Sequence, residues 1–190
     1  MARFLVLFAL LVGLSACTDA NDLNEPPADL GAFKLGHNIV VAPNMTKGPV
    51  SRTASAEEWV ASLTEAVSER FGRYDGTKLI HFGISVEGYV LAQPGIPIIA
   101  SPKSVLIINI TAWDDAAGAK LNTEPKQITV MESFSGKSFL GSGLTQSKEV
   151  QMQNLSRNAA KLIEDYLSRQ HMEKGWFVPV PVVDSSLDAE

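Results

Sequence analysis

Apolar side chains recur along this chain with helical spacing in two stretches and with strand-like patterning in four others. Asn38-Ile-Val-Val-Ala42 is a β-branched run closed by Pro43, which predicts a short strand. Trp59, Val60, Leu63, Val67 and Phe71 then repeat on one helical face. They follow Ser55-x-x-Glu58, the form of a capping box, in which a hydroxyl and a carboxylate satisfy the first free N–H groups of a helix. Gly72 supplies the stop. Residues 78–91 alternate, with Ile80, Phe82, Ile84, Val86 and Val90 on one side and His81, Ser85, Glu87 and Tyr89 on the other. That is the pattern of a strand with one solvated face.

Residues 104–113 form a more apolar run, predicted as a central strand, and Asp114–Gly118 carries turn chemistry. Gln127–Phe134 reads as a further strand, turned by Ser135-Gly136. Leu155, Ala159, Leu162, Ile163, Tyr166 and Leu167 mark the apolar stripe of a second helix over 147–170. The order strand, helix, three strands, helix predicts an α+β fold: an antiparallel-rich sheet of about four to five strands packed against two amphipathic helices. The first strand and residues 78–91 are placed to pair in parallel, joined across the first helix by a right-handed crossover. The chain shows no internal repeat.

The N-terminus follows a different logic. Arg3 precedes Phe4–Leu14, 11 residues without a polar side chain, whereas a bilayer-spanning helix needs about 20. A short positive region, a short apolar core and small residues at a cleavage site describe a secretory signal. Leu14-Ser15-Ala16-Cys17 resembles the lipobox of bacterial lipoproteins. The resemblance implies a signal peptide over 1–16, cleavage before Cys17, and acylation of that thiol. It also implies a chain facing the periplasm, in the outer membrane rather than the inner, because Thr18 stands where an inner-membrane retention aspartate would.

Cysteine usage agrees with that reading. Cys17 is the one cysteine of the chain, so the domain folds without a disulfide in a compartment that permits one. Each buried acyl methylene contributes about 0.8 kcal/mol, so two or three chains hold durably. Residues 17–32 are polar, acidic and aperiodic, with Pro26-Pro27, and read as the acylated cysteine with a flexible tether. As a coil this segment would set the domain roughly 20 Å from the bilayer. The domain itself is expected over 33–175, followed by a proline-containing apolar tail, 176–190.

Charge narrows the function classes. The whole chain carries −5, and loss of residues 1–16 with Arg3 brings it to −6 with no basic block. Nucleic-acid binding and attraction to anionic lipid heads are therefore disfavoured. The element order over about residues 38–170 is loosely similar to small periplasmic α/β lipoprotein domains. Examples are the curli-secretion lipoprotein, the lipoprotein activators of penicillin-binding proteins and the N-terminal domain of the Tol translocation protein. Ile110–Gly118, a strand followed by an Asp/Gly turn, also resembles uncharacterised envelope lipoprotein families of unknown function. These likenesses imply an envelope location and carry no site residue across.

Candidate chemistry is thin. Gly136-Lys137-Ser138 looks like the end of a P-loop, but Met131 stands where its first glycine belongs and no helix is predicted to follow. Gly141-Ser-Gly143 lacks the outer glycines of a nucleophile elbow. His81 and Ser85 lie roughly 13 Å apart along one strand at about 3.3 Å per residue, whereas a nucleophile and its base must approach to about 3 Å. His37, His81 and His171 are far apart in sequence and no second cysteine joins them, so no metal, cofactor or catalytic residue is assigned. Two apolar segments attract attention instead. Pro94–Pro102 holds Ile96, Ile98 and Ile99 in a connection where polar residues are usual. Trp176-Phe177 opens the tail, whose Pro179 and Pro181 forbid a central strand. Each segment is read either as folding onto its own domain or as making an outside contact, with a partner or lipid for the first and with another protein for the second. The function expected is a non-enzymatic, membrane-anchored binding or assembly accessory for an envelope complex, its protein partner unidentified. The alternative is lipid or apolar-ligand binding in envelope transport, which needs an internal apolar cavity.

Overall fold

The first helix starts where the capping box predicts. The Ser55 hydroxyl accepts from Glu58 N–H, and the Glu58 carboxylate accepts from Ser55 N–H at 2.7 Å. In the computed structural model, which describes residues 20–93, 104–132 and 147–179, that helix is α1 (Ala56–Phe71). It follows strands β1 (Phe33–Val41) and β2 (Thr46–Lys47). After it come β3 (Lys78–Val90), β4 (Val105–Asp114), β5 (Ala119–Lys120), β6 (Lys126–Met131) and helix α2 (Lys148–Lys174). The class is the expected α+β. Among the described residues the open sheet has six strands, two of them only two residues long.

β1 and β3 run parallel across the α1 crossover, and β3–β4, β4–β5 and β4–β6 are antiparallel. β4 is central, as its apolar run predicts. Both helices lie on one sheet face. Val40, Ile84, Ile110 and Val130 point into the core beneath them, with Trp59, Leu63 and Phe71 from α1 and Leu155, Ile163 and Leu167 from α2. Each such side chain contributes about 1.5–3 kcal/mol by leaving water. No helix among the described residues covers the opposite sheet face, and Ile39, Val41, Trp113 and Met131 are exposed there.

Four expectations change. Tyr89, expected on the solvated side of β3, is buried, because a bulge between Val86 and Gly88 adds a residue and reverses the alternation. Its hydroxyl then donates to Ala54 carbonyl and accepts from Ala54 N–H, both at 2.9 Å. α2 runs four residues beyond its expected end. It stops at Gly175, whose φ of 67° is the left-handed geometry that glycine adopts without steric penalty. Gly72, by contrast, caps α1 in a right-handed conformation, so no left-handed geometry calls for glycine there, although an added Cβ would press on the Ser68 carbonyl at 2.7 Å. Finally, residues 20–32, expected to lie within a free tether, pack on the domain, with Ala20 and Leu30 buried.

Candidate functional site

Arg70 on α1 is buried, and three acceptors hold its guanidinium. It donates to Glu164 of α2 at 2.7 Å, to Asp22 at 2.6 Å and to the Ala20 carbonyl at 3.1 Å. Arg73, one turn onward, donates to the carbonyls of Leu23 and Glu25 at 3.0 Å each. Lys161 joins Asp22 at 3.3 Å and Glu164 at 3.1 Å, and the Tyr74 hydroxyl donates to Glu164 at 2.7 Å. Two helices and the N-terminal segment thus share one buried ionic network.

The charges suit one another. Burial would raise the Glu164 carboxyl, but hydrogen bonds from Tyr74 and Lys161 and the Arg70 charge outweigh it and hold it below the ordinary value. Burial likewise opposes ionisation of Asp22, and Arg70 and Lys161 reverse the effect and lower its pKa. The Tyr74 hydroxyl is pushed upward by burial and by the Glu164 carboxylate beside it. Such an arrangement holds ions fixed. It leaves no poised base or nucleophile.

The C-terminal segment closes the same end of the molecule. Trp176 is 7% exposed and Phe177 fully buried. Phe177 meets Phe33 edge-on at 5.2 Å between ring centres and stacks on His171 at 5.6 Å. Ala32 N–H donates to the Phe177 carbonyl at 3.0 Å. The exposure expected of these two residues in a partner-binding arm is therefore absent. Docking on their own domain is what forms, because the aromatic end of the core needs their rings.

Ile96, Ile98, Ile99 and Cys17 lie outside the described residues. His37 and His81, distant in sequence, stack at 4.9 Å between ring centres. His81 is occupied at both nitrogens, Nδ1 accepting from His37 N–H at 2.8 Å and Nε2 meeting Asp115 at 2.9 Å. No cluster of three or more metal-ligating side chains occurs among the described residues. A cavity of about 310 Å³ opens between residues 27–33 and 73–76. Asp29, Arg73 and Asp75 wall it alongside Leu30 and Phe33, so it is a surface cleft and not an apolar chamber between sheet and helices. Sequence reasoning missed the network entirely. Arg70 and Glu164 sit on amphipathic helices where a charge ordinarily marks the solvated side.

No protein-family model matches the chain, and the search of curated proteins finds no match. Solved structures do resemble it distantly. A Xanthomonas campestris protein of family DUF330 is 11% identical, over 78% of this chain and 92% of that one, with a TM-score of 0.45. A candidate lipoprotein of Caulobacter crescentus CB15 is 11% identical over 69% and 92%, with a TM-score of 0.34. A minor lipoprotein of Acinetobacter baumannii is 16% identical over 66% and 89%, with a TM-score of 0.26. No residue role is taken from them.

Proposed function

We propose that this protein is an envelope lipoprotein, anchored through acyl chains on Cys17 and facing the periplasm, whose domain binds a protein partner without catalysing a reaction. The observation that carries the reading is the run Leu14-Ser15-Ala16-Cys17 behind a short apolar segment, holding the sole cysteine of the chain. Further support comes from the apolar connection with Ile96, Ile98 and Ile99, and from the exposed Ile39, Val41, Trp113 and Met131 on the sheet face opposite the helices. Trp176 and Phe177 are removed from the contact set, since their rings serve the core. In this reading the chain resides in the outer membrane.

The test is mass spectrometry on the natively anchored protein, cross-linked in intact cells, with proteins and lipids read from one sample. A stoichiometric partner, lost when Ile96 and Ile98 are made polar, is the expected result. Bound lipid beyond the Cys17 acyl chains, with no protein partner, would overturn it in favour of lipid handling. The anchor is checked separately, since Cys17→Ser is expected to abolish acylation and release the protein from the membrane.

A further inference from the structure

The first described residue, Ala20, is buried and held through its carbonyl by Arg70, and Asp22 is held by both Arg70 and Lys161. Arg73 then fixes the carbonyls of Leu23 and Glu25, Leu30 enters the core, and Ala32 bonds the Phe177 carbonyl. The segment is thus attached at successive points from Ala20 to Ala32. Gly31 turns it into β1 with φ of 56°, where an added Cβ would press on the His171 ring at 2.8 Å and on the Phe177 carbonyl at 3.0 Å.

We propose that residues 20–32 are a docked strap that seats the helical face of the domain against the lipid bilayer and turns the uncovered sheet face away from it. The inference rests on the Cys17 anchor. Only Thr18 and Asp19 separate Cys17 from Ala20, and covalent geometry limits that span of three steps to about 10 Å. A free tether over 17–32 would leave orientation unconstrained. The strap meets the domain at Arg70 of α1 and at Glu164 and Lys161 of α2, so the attachment point lies on the helix layer. Attraction to lipid heads is not the cause. The exposed charges on the two helices are predominantly acidic, six glutamates standing against Arg169 and Lys174, so this layer does not draw anionic head groups. The short covalent link orients the domain.

Because Cys17 is the sole cysteine and its thiol is consumed by acylation, a second cysteine can be labelled selectively. The full-length acylated protein, as Glu69→Cys on exposed α1 or Thr129→Cys on the opposite sheet face, is reconstituted in phosphatidylethanolamine–phosphatidylglycerol vesicles carrying an acceptor lipid. Energy transfer is expected to be several-fold stronger from position 69 than from 129. Inserting a flexible Gly-Ser run of about 12 residues between Asp19 and Ala20, which leaves every strap contact in place, is expected to erase that difference. Equal transfer at native length, or a difference that survives the insertion, overturns the strap. Intact mass and flotation report the anchor independently: an unacylated product overturns the anchor reading, and the strap with it, whereas an acylated protein with equal transfer overturns the strap alone.

Discussion

Arg70 and Glu164, 94 residues apart in sequence, meet at 2.7 Å with side chains only 2% and 1% exposed. A buried pair of this kind gains little over a well-packed apolar pair, yet breaking it is costly because the surviving charge stays buried. Glu164→Gln is expected to lower stability by about 3–5 kcal/mol, read as an earlier urea midpoint with unchanged slope. A loss under about 1 kcal/mol would mean that the two helices are not locked by this pair.

The same network makes stability fall in acid. Glu164 and Asp22 have folded pKa values below their ordinary values of 4.5 and 3.8. Groups lowered in the folded state contribute stability that is fully present above the unfolded value. That contribution is lost as pH falls through the folded one. Thermal midpoints of the native chain are therefore expected to drop steeply below the ordinary carboxylate range. The double variant Asp22→Asn, Glu164→Gln should start lower and show a shallower acid slope. Parallel slopes would exclude these two carboxylates as the source.

Phe177 fills the core where the strap meets β1. Phe177→Ala is expected to cost about 3–5 kcal/mol, the range for a large buried aromatic. A surface arm awaiting a partner would show a change within about 0.5 kcal/mol. Urea titration of the purified domain separates these outcomes.

The β1 irregularity between Leu35 and Asn38 brings Gly36 against the His81 imidazole. A Cβ at Gly36 would collide with that ring, so Gly36→Ala is expected to destabilise by about 1–3 kcal/mol. Adding His81→Ala should relieve the collision, making the double variant more stable than the sum of the two single losses implies. Strict additivity would show that the ring moves aside without cost.

Tyr89 tests the other bulge. Its hydroxyl both donates to and accepts from Ala54. Tyr89→Phe leaves those backbone groups buried and unpaired, at an expected cost of about 1–3 kcal/mol. An unchanged unfolding midpoint would place Tyr89 on the solvated side of β3, as simple alternation has it.

Local pattern was enough for much of this protein. The capping box at Ser55, the stripe of α1, the apolar run of β4 and the Asp114–Gly118 turn could be read in sequence. Each depends on residues within a few positions of one another, and helix and strand periods are themselves local. The end of α2 was readable in principle from Gly175, but the helix pattern weakens over its last turn, where His171, Met172 and Lys174 give no clear stripe.

What the tertiary structure alone decided is where the chain departs from periodicity and which distant groups answer each other. A bulge at Val86–Gly88 turns Tyr89 inward, and a one-residue shift sends every later side chain to the other face. Arg70 and Glu164 are ordinary helix-surface charges until folding places Asp22 and Lys161 beside them. The strap and the Trp176-Phe177 segment carry prolines and no period, which in sequence reads as free chain. They are held by buried carbonyls, a guanidinium and aromatic rings that only the assembled domain brings together, because desolvation is repaid only when all of those partners are present.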